Sequence, residues 1–301
     1  MRGIDRRKFV NYCLGSAAVL GLDQTVVGRL REAQAGGADT LPTVVWLAAA
    51  NCTGCTMSLA NLETSSGPTD IGDLLLNVID LEYHPNLMGA AGDLAVSALH
   101  AAVSGDYVLV VEGGIPTAFG GNACMLWTES GHDVTAQEAV LALAPGATAV
   151  LAVGTCASFG GIPGANPNPT AVTSVFDLTG LPVINIPGCP SHPDWVVWTI
   201  AQLLAGSYPQ LDQDRRPTAL FGGRIHSTCP YEDAPEADHF GQLHRCLEEL
   251  GCKGERTRGD CHQRRWHGGT TWCVEAGSIC IGCTERLFPD GMSPFYGEDD
   301  D

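Results

Sequence analysis

Positive charge is scarce in this chain. Its 16 lysines and arginines stand against 34 aspartates and glutamates, a formal net charge of −18 with the histidines neutral. Phosphate attraction demands the opposite sign, so nucleic acid is excluded as a partner. Long apolar runs are missing too. Beyond the first 35 residues, no stretch approaches the roughly 20 consecutive apolar residues of a membrane-spanning helix, so no transmembrane span is expected there. From about Leu211 onward even short-range apolar periodicity fades, and irregular segments rich in Gly, Pro, Arg and Cys replace it. Little in that stretch could build an independent apolar core, which points to folding around bound groups.

Cysteine, by contrast, is abundant. The chain has 13, and twelve of them follow residue 50. In an exported protein, disulfide staples are one reading of that content. Two tight C-x-x-C pairs, Cys52/Cys55 and Cys280/Cys283, argue against it, as do the Gly and Pro packed around each cysteine. A chain of this length has no need of so many staples. Eleven cysteines and His226 make twelve soft ligands, the complement of three four-iron clusters, with Cys124 left over. In chain order they fall into fours: Cys52, Cys55, Cys156 and Cys189; His226, Cys229, Cys246 and Cys252; Cys261, Cys273, Cys280 and Cys283. Spacing by itself does not apportion the last eight between two clusters.

The first residues carry their own signal. Asp5-Arg6-Arg7-Lys8-Phe9-Val10 places a twin arginine before a weakly apolar run to about Val27, and Ala33-Gln34-Ala35 offers small residues for cleavage. This is the pattern of a twin-arginine (Tat) export signal, a route for proteins already folded around their cofactors. The expected division is therefore a signal peptide over 1–35, an α/β domain over 36–210 and a cluster-binding part over 211–301. Loss of the signal removes six basic and three acidic side chains, deepening the charge from −18 to −21. Such a surface would steer a basic soluble partner.

Four apolar runs, Thr43 to Ala49, Tyr107 to Val111, Ala147 to Val153 and Pro182 to Ile186, read as strands buried on both faces. Helical segments alternate with them at Asp93 to Val103, Thr135 to Ala144 and Asp194 to Leu204. This order predicts a parallel sheet covered by helices, whose strand-exit loops gather along one ligand-binding edge. Three of those exits lead to Cys52 and Cys55, to Cys156, and to Cys189. The fourth leads through Glu112 toward Cys124. Glycines 54, 154 and 188 would let backbone approach inorganic sulfide without an intervening Cβ.

These residues resemble the small subunit of periplasmic nickel-iron hydrogenases over nearly the whole chain. The landmarks are DRRKFV at the start, WLAAANCTGC (46 to 55), VVEGGIP (110 to 116), AVGTCASFGGIP (152 to 163), NPNPT (166 to 170), NIPGCPSHPDW (185 to 195), IHSTCP (225 to 230), GCKG (251 to 254), RWHGGTTWC (265 to 273), CIGC (280 to 283) and PFY (294 to 296). The resemblance implies a flavodoxin-like domain with a proximal cluster on Cys52, Cys55, Cys156 and Cys189. It implies a distal cluster on His226, Cys229, Cys246 and Cys252, and assigns Cys261, Cys280 and Cys283 to the medial one. It places the nickel-iron centre in a separate large subunit, leaving this chain with no catalytic residue and an electron relay to an acceptor such as a multihaem c-type cytochrome.

Departures from that pattern matter as much. Many relatives have Pro where Cys273 stands and carry a three-iron medial cluster; a fourth thiolate predicts four irons and a lower medial potential. This feature and the HPDW segment look more like the nickel-iron-selenium branch. Gly54 replaces the extra cysteine of oxygen-tolerant relatives, so an ordinary four-iron proximal cluster is expected. Met57 stands where many relatives have Glu and is expected simply to pack. Glu112, His192 and Asp194 are expected to be structural or interface groups, with Glu112 and Cys124 near the contact with the large subunit. Two other identities are weighed: a related quinone-reductase subunit, which has adjacent cysteines and lacks the eight C-terminal ligands, and a disulfide-stapled binding protein.

Overall fold

Five parallel strands form the central sheet of the computed structural model, which describes residues 41–64 and 68–295. The Tat signal expected over 1–35 lies outside the described residues. The strands are β1 (Thr43–Ala48), β2 (Asp80–Tyr83), β3 (Tyr107–Glu112), β4 (Ala149–Val153) and β5 (Ile184–Ile186), in the order β2-β1-β3-β4-β5. β1 pairs with β3 from Thr43↔Tyr107 to Ala48↔Glu112 without a shift, and β3 pairs with β4 from Val108↔Ala149 to Glu112↔Val153. That order is flavodoxin-like, and its topological switch point lies between β1 and β3.

Unbroken β-branched and apolar sequence produces strands buried on both faces. Val44, Trp46, Val108, Val110, Leu151, Val153, Ile184 and Ile186 face one core. Val45, Leu47, Leu109, Val111, Val150 and Ala152 face the other. Among the described residues, seven helices cover the sheet: α1 (Gly54–Ala60), α2 (Ile71–Asn77), α3 (Asp93–Ala102), α4 (Ala136–Leu143), α5 (Thr155–Phe159), α6 (Val175–Thr179) and α7 (Pro193–Leu204). Helices α1, α2 and α7 supply Leu59, Leu74 and Trp195 to the first core, whereas α3 to α6 supply Leu99, Val140, Ala157 and Val175 to the second. The four expected strands and three expected helices lie within two or three residues of their expected bounds. Strand β2 has no counterpart among the expected strands, because its sequence DLEY is mostly polar, as suits an edge position.

After Leu211 the chain runs in turns, with short helical pieces at Thr218–Phe221 and Cys261–Arg264. A small apolar cluster does form there, from Ile225, Ala237, Leu247, Trp272, Val274, Ile279 and Cys280, so cysteine-bearing loops and apolar packing share one nucleus. Polar bolts fasten this part to the sheet. Trp195 Nε1 donates to Asp260 Oδ1 at 2.6 Å, and Arg264 pairs with Asp260 at 2.6 Å and Asp194 at 3.7 Å. His192 caps the first turn of α7 by accepting from the Asp194 N–H at 3.2 Å, which leaves its Nε2–H to donate to the Arg265 carbonyl at 2.7 Å. Burial holds this imidazole down to about 4, so it serves as a neutral structural link.

Candidate metal centres

Each expected exit loop delivers its cysteine to the carboxyl edge of the sheet. Cys52 precedes α1 and Cys55 lies in its first turn; Gly154 turns the chain from β4 into α5, where Cys156 is the second residue; Cys189 follows β5 through Gly188. Gly154 has φ +86, and a Cβ there would stand 2.5 Å from Cys55 Sγ. A Cβ on Gly54 would likewise come within 3.0 Å of Cys52 Sγ. Bare backbone therefore surrounds these sulfurs. The Cys55 thiol is raised by burial and by the charge of Glu112, with Cys156 and Cys189 adding to the effect. Burial, then Cys189, push Cys156 up to about 12. Burial and this repulsion together disfavour the thiolates until a cation shares them, so binding a metal here would expel protons.

Glu112, at the end of β3, is 2 % exposed and fully engaged. Its carboxylate accepts from Trp46 Nε1 at 3.1 Å, Cys55 N at 3.0 Å, Thr56 N at 3.2 Å and the Thr56 hydroxyl. It thereby caps the amino end of α1 and fixes the backbone of a ligand cysteine. Thr56 Oγ1 in turn meets His84 Nε2 at 3.3 Å, while His84 Nδ1 accepts from the Asn86 N–H at 3.1 Å. The structural role expected of Glu112 is visible; the roles of Thr56 and His84 have no signal in the sequence, since neither sits in a recognisable spacing. We expect Glu112→Ala, which leaves these donors without an acceptor, to cost on the order of 3 kcal/mol. Glu112→Gln, which keeps one acceptor oxygen, should cost less. Denaturant midpoints of both variants check this.

A second group surrounds a small cavity whose lining includes His226, Cys229, Cys246 and Cys252. His226 Nε2 is buried without a hydrogen-bond partner, and the ligand atoms of His226, Cys246 and Glu248 lie within 4.8 Å of one another. Glu248 stands 3.9 Å from Nε2 and Glu255 3.6 Å from Nδ1. Cys229 Sγ accepts from the Tyr231 N–H at 3.4 Å. Burial raises Cys229 and Cys246, and the charge of Cys252 raises both further. A buried imidazole nitrogen with no hydrogen-bond partner, set among three thiols, fits a metal group as its partner.

The third group gathers Cys261, Cys273, Cys280 and Cys283. Burial, then Cys283, Cys280 and Cys273, raise Cys261 well above its ordinary value. Cys280 is pushed up to about 12 by burial, and Cys283 is raised by burial and then by Cys280 and Cys273. Cys273 keeps an exposed surface, yet its thiol is raised by burial and by the charge of Cys252, and it acts in turn on Cys280 and Cys283. This group also lies between the other two. Cys252 Sγ accepts from the Cys280 N–H at 3.4 Å, and the charge of Cys189 acts on Cys283.

The remaining expectations sort themselves. All twelve described cysteines are unpaired. Cys124 is part-buried in the second core, with its thiol raised by burial, and belongs to none of the three groups. Met57 is 56 % exposed on α1 and does not pack into this chain, contrary to its expected role. His192 and Asp194 are structural, as expected. Among the described residues, no helix is long and apolar enough to cross a membrane.

Comparison with known families divides the chain as its folding does. Residues 52–203 match the family model described as NADH ubiquinone oxidoreductase, 20 Kd subunit, and residues 221–296 match the model for the C-terminal part of the NiFe/NiFeSe hydrogenase small subunit. The periplasmic NiFeSe hydrogenase small subunit of Desulfomicrobium baculatum is 40% identical, covering 97% of this chain and 98% of its own. The periplasmic NiFe hydrogenase small subunit of Solidesulfovibrio fructosivorans is 38% identical, covering 98% and 93%. Among solved structures, recombinant NiFeSe hydrogenase from Desulfovibrio vulgaris Hildenborough superposes with a TM-score of 0.81 at 39% identity, covering 86% of this chain and 99% of that one. The first family model alone would also fit the quinone-reductase alternative; the second carries the cysteine-rich part that this alternative lacks.

Proposed function

Because the chain belongs to the nickel-iron and nickel-iron-selenium hydrogenase small-subunit family, we propose that it is the electron relay of a periplasmic hydrogenase exported by the twin-arginine route. It pairs with a large subunit that carries the nickel-iron centre, in the reaction H2 = 2 H+ + 2 e−. Three four-iron clusters, when bound, would supply one-electron storage and transfer. The proximal set is Cys52, Cys55, Cys156 and Cys189, the medial set Cys261, Cys273, Cys280 and Cys283, and the distal set His226, Cys229, Cys246 and Cys252. The observation that carries this reading is the bridging position of the medial set: Cys283 adjoins Cys189, and the Cys280 amide reaches Cys252.

The chain's own residues do the positioning. Backbone N–H groups aimed at Cys55 and Cys229 favour the thiolate form, and with the one aimed at Cys252 they tune the potential of what these sulfurs bind. Carboxylates crowd the outlet, with Glu248 and Glu255 beside His226 and Glu232 and Glu236 acting on Cys229 and Cys246. An acidic outlet suits a basic multihaem c-type cytochrome as electron acceptor.

The test separates hydrogen chemistry from electron exit. Cys252→Ala in the assembled heterodimer is expected to abolish hydrogen-driven reduction of such a cytochrome while leaving proton–deuterium exchange at the large subunit intact. In the unaltered enzyme, cytochrome reduction should slow as salt is raised. Undiminished output from Cys252→Ala would contradict the relay, and salt-independent transfer would contradict the charged outlet.

A further inference from the structure

A single buried hydroxyl joins the first cysteine group to the third. Thr155, immediately before Cys156 and 1 % exposed, has its backbone N–H bonded to the Gly188 carbonyl at 3.0 Å. Its Oγ1 accepts from the Gly188 N–H at 2.8 Å and donates to the Cys283 carbonyl. Gly188 immediately precedes Cys189. One hydroxyl therefore touches the segments of Cys156, Cys189 and Cys283, using both its acceptor and donor capacity.

We propose that Thr155 is the positioning residue of the proximal–medial junction, its hydroxyl fixing the Cys189 and Cys283 segments at the separation and orientation through which electrons pass. This rests on the assignment of those cysteines to two clusters. The reasoning is geometric: Cys189 leaves a strand of the sheet, Cys283 sits on an irregular turn after residue 211, and no strand pairing sets one against the other. A short polar chain, Gly188 N–H to Thr155 Oγ1–H to Cys283 C=O, does so. Valine has the same shape but offers neither donor nor acceptor, so Thr155→Val leaves the Gly188 N–H buried without a partner. Serine retains the hydroxyl.

The experiment uses the complete heterodimer with Thr155→Val, Thr155→Ser and Thr155→Ala. Three quantities are read: iron content, the splitting of the reduced-state electron paramagnetic resonance signal caused by neighbouring clusters, and hydrogen exchange of the Gly188 amide. For Thr155→Val the expectation is full iron, a splitting changed between proximal and medial clusters only, and Gly188 exchange about tenfold faster. Thr155→Ser should match the unaltered enzyme in all three. If Thr155→Val fails to assemble, Thr155→Ala against Thr155→Ser carries the same comparison. Unchanged splitting and exchange without the hydroxyl, or a Ser variant as altered as Val, overturns the proposal. Absence of iron from the unaltered complex is a different result and would sink the relay reading itself.

Discussion

Arg216→Ala is expected to destabilise the protein by about 3–5 kcal/mol, the largest single-residue effect outside the metal ligands. The guanidinium is 2 % exposed and fully committed. Its Nε pairs with Asp212 at 2.9 Å, Nη2 with Asp214 at 3.4 Å and Nη1 with Glu285 at 3.1 Å, and Nη1 also donates to the Thr284 carbonyl at 3.2 Å. Removing it leaves three partly shielded carboxylates facing one another without a cation. Glu285 would lose more than a partner, because it also accepts from the Arg258 N–H at 2.6 Å and so organises the turn that follows Cys283. Arg216→Lys keeps the charge but not the fork, and cannot reach all these acceptors at once. Its expected loss is intermediate. Denaturant midpoints and the retention of medial iron should fall together in Arg216→Ala; a midpoint within about 1 kcal/mol of the unaltered protein would show that the carboxylates find other partners.

Cys273→Ala is expected to change the metal itself. Cys273 acts electrostatically on Cys261, Cys280 and Cys283, the neighbourhood in which it is proposed as their fourth thiolate. Without it, three thiolates remain, the ligand set that the family resemblance associates with a three-iron cluster. Iron should drop by about one per chain, a three-iron resonance should appear on oxidation, and the medial potential should rise because one thiolate charge is lost. The other two clusters, whose ligands are untouched, should keep their potentials. Unchanged iron with an unchanged medial signal would mean that Cys273 does not ligate.

How much of the molecule is legible in its sequence depends on which physical signal each residue carries. Strands β1, β3 and β4 announce themselves as unbroken apolar runs, since a sheet buried on both faces tolerates little else. The edge strand β2 stays hidden, because a polar edge looks like a loop. The cysteines stand out by their number and by two C-x-x-C pairs. Their partition does not: Cys246 and His226 lie twenty positions apart, and only the folded cavity brings them together with Cys229 and Cys252. The resemblance to a family supplies that partition from ordered motifs; electrostatics alone does not, since the charge of Cys252 acts on both Cys273 and Cys280. Glu112 is conspicuous at a strand exit, yet its four donors come from three separate residues that no spacing links. Met57 misleads because a lone apolar side chain reads as core until its exposure is seen. Thr155 is invisible for a simpler reason, as a hydroxyl beside a cysteine has no sequence signature of the bonds it makes.

The central claim is that this chain carries three four-iron clusters beside a nickel-bearing partner. It is tested most directly by purifying the chain anaerobically with whatever accompanies it and measuring iron and nickel together. The account predicts about twelve irons per chain, beyond those of the partner, with nickel confined to a larger polypeptide. Iron without nickel would contradict the hydrogenase assignment, and intact protein without iron would contradict the relay altogether.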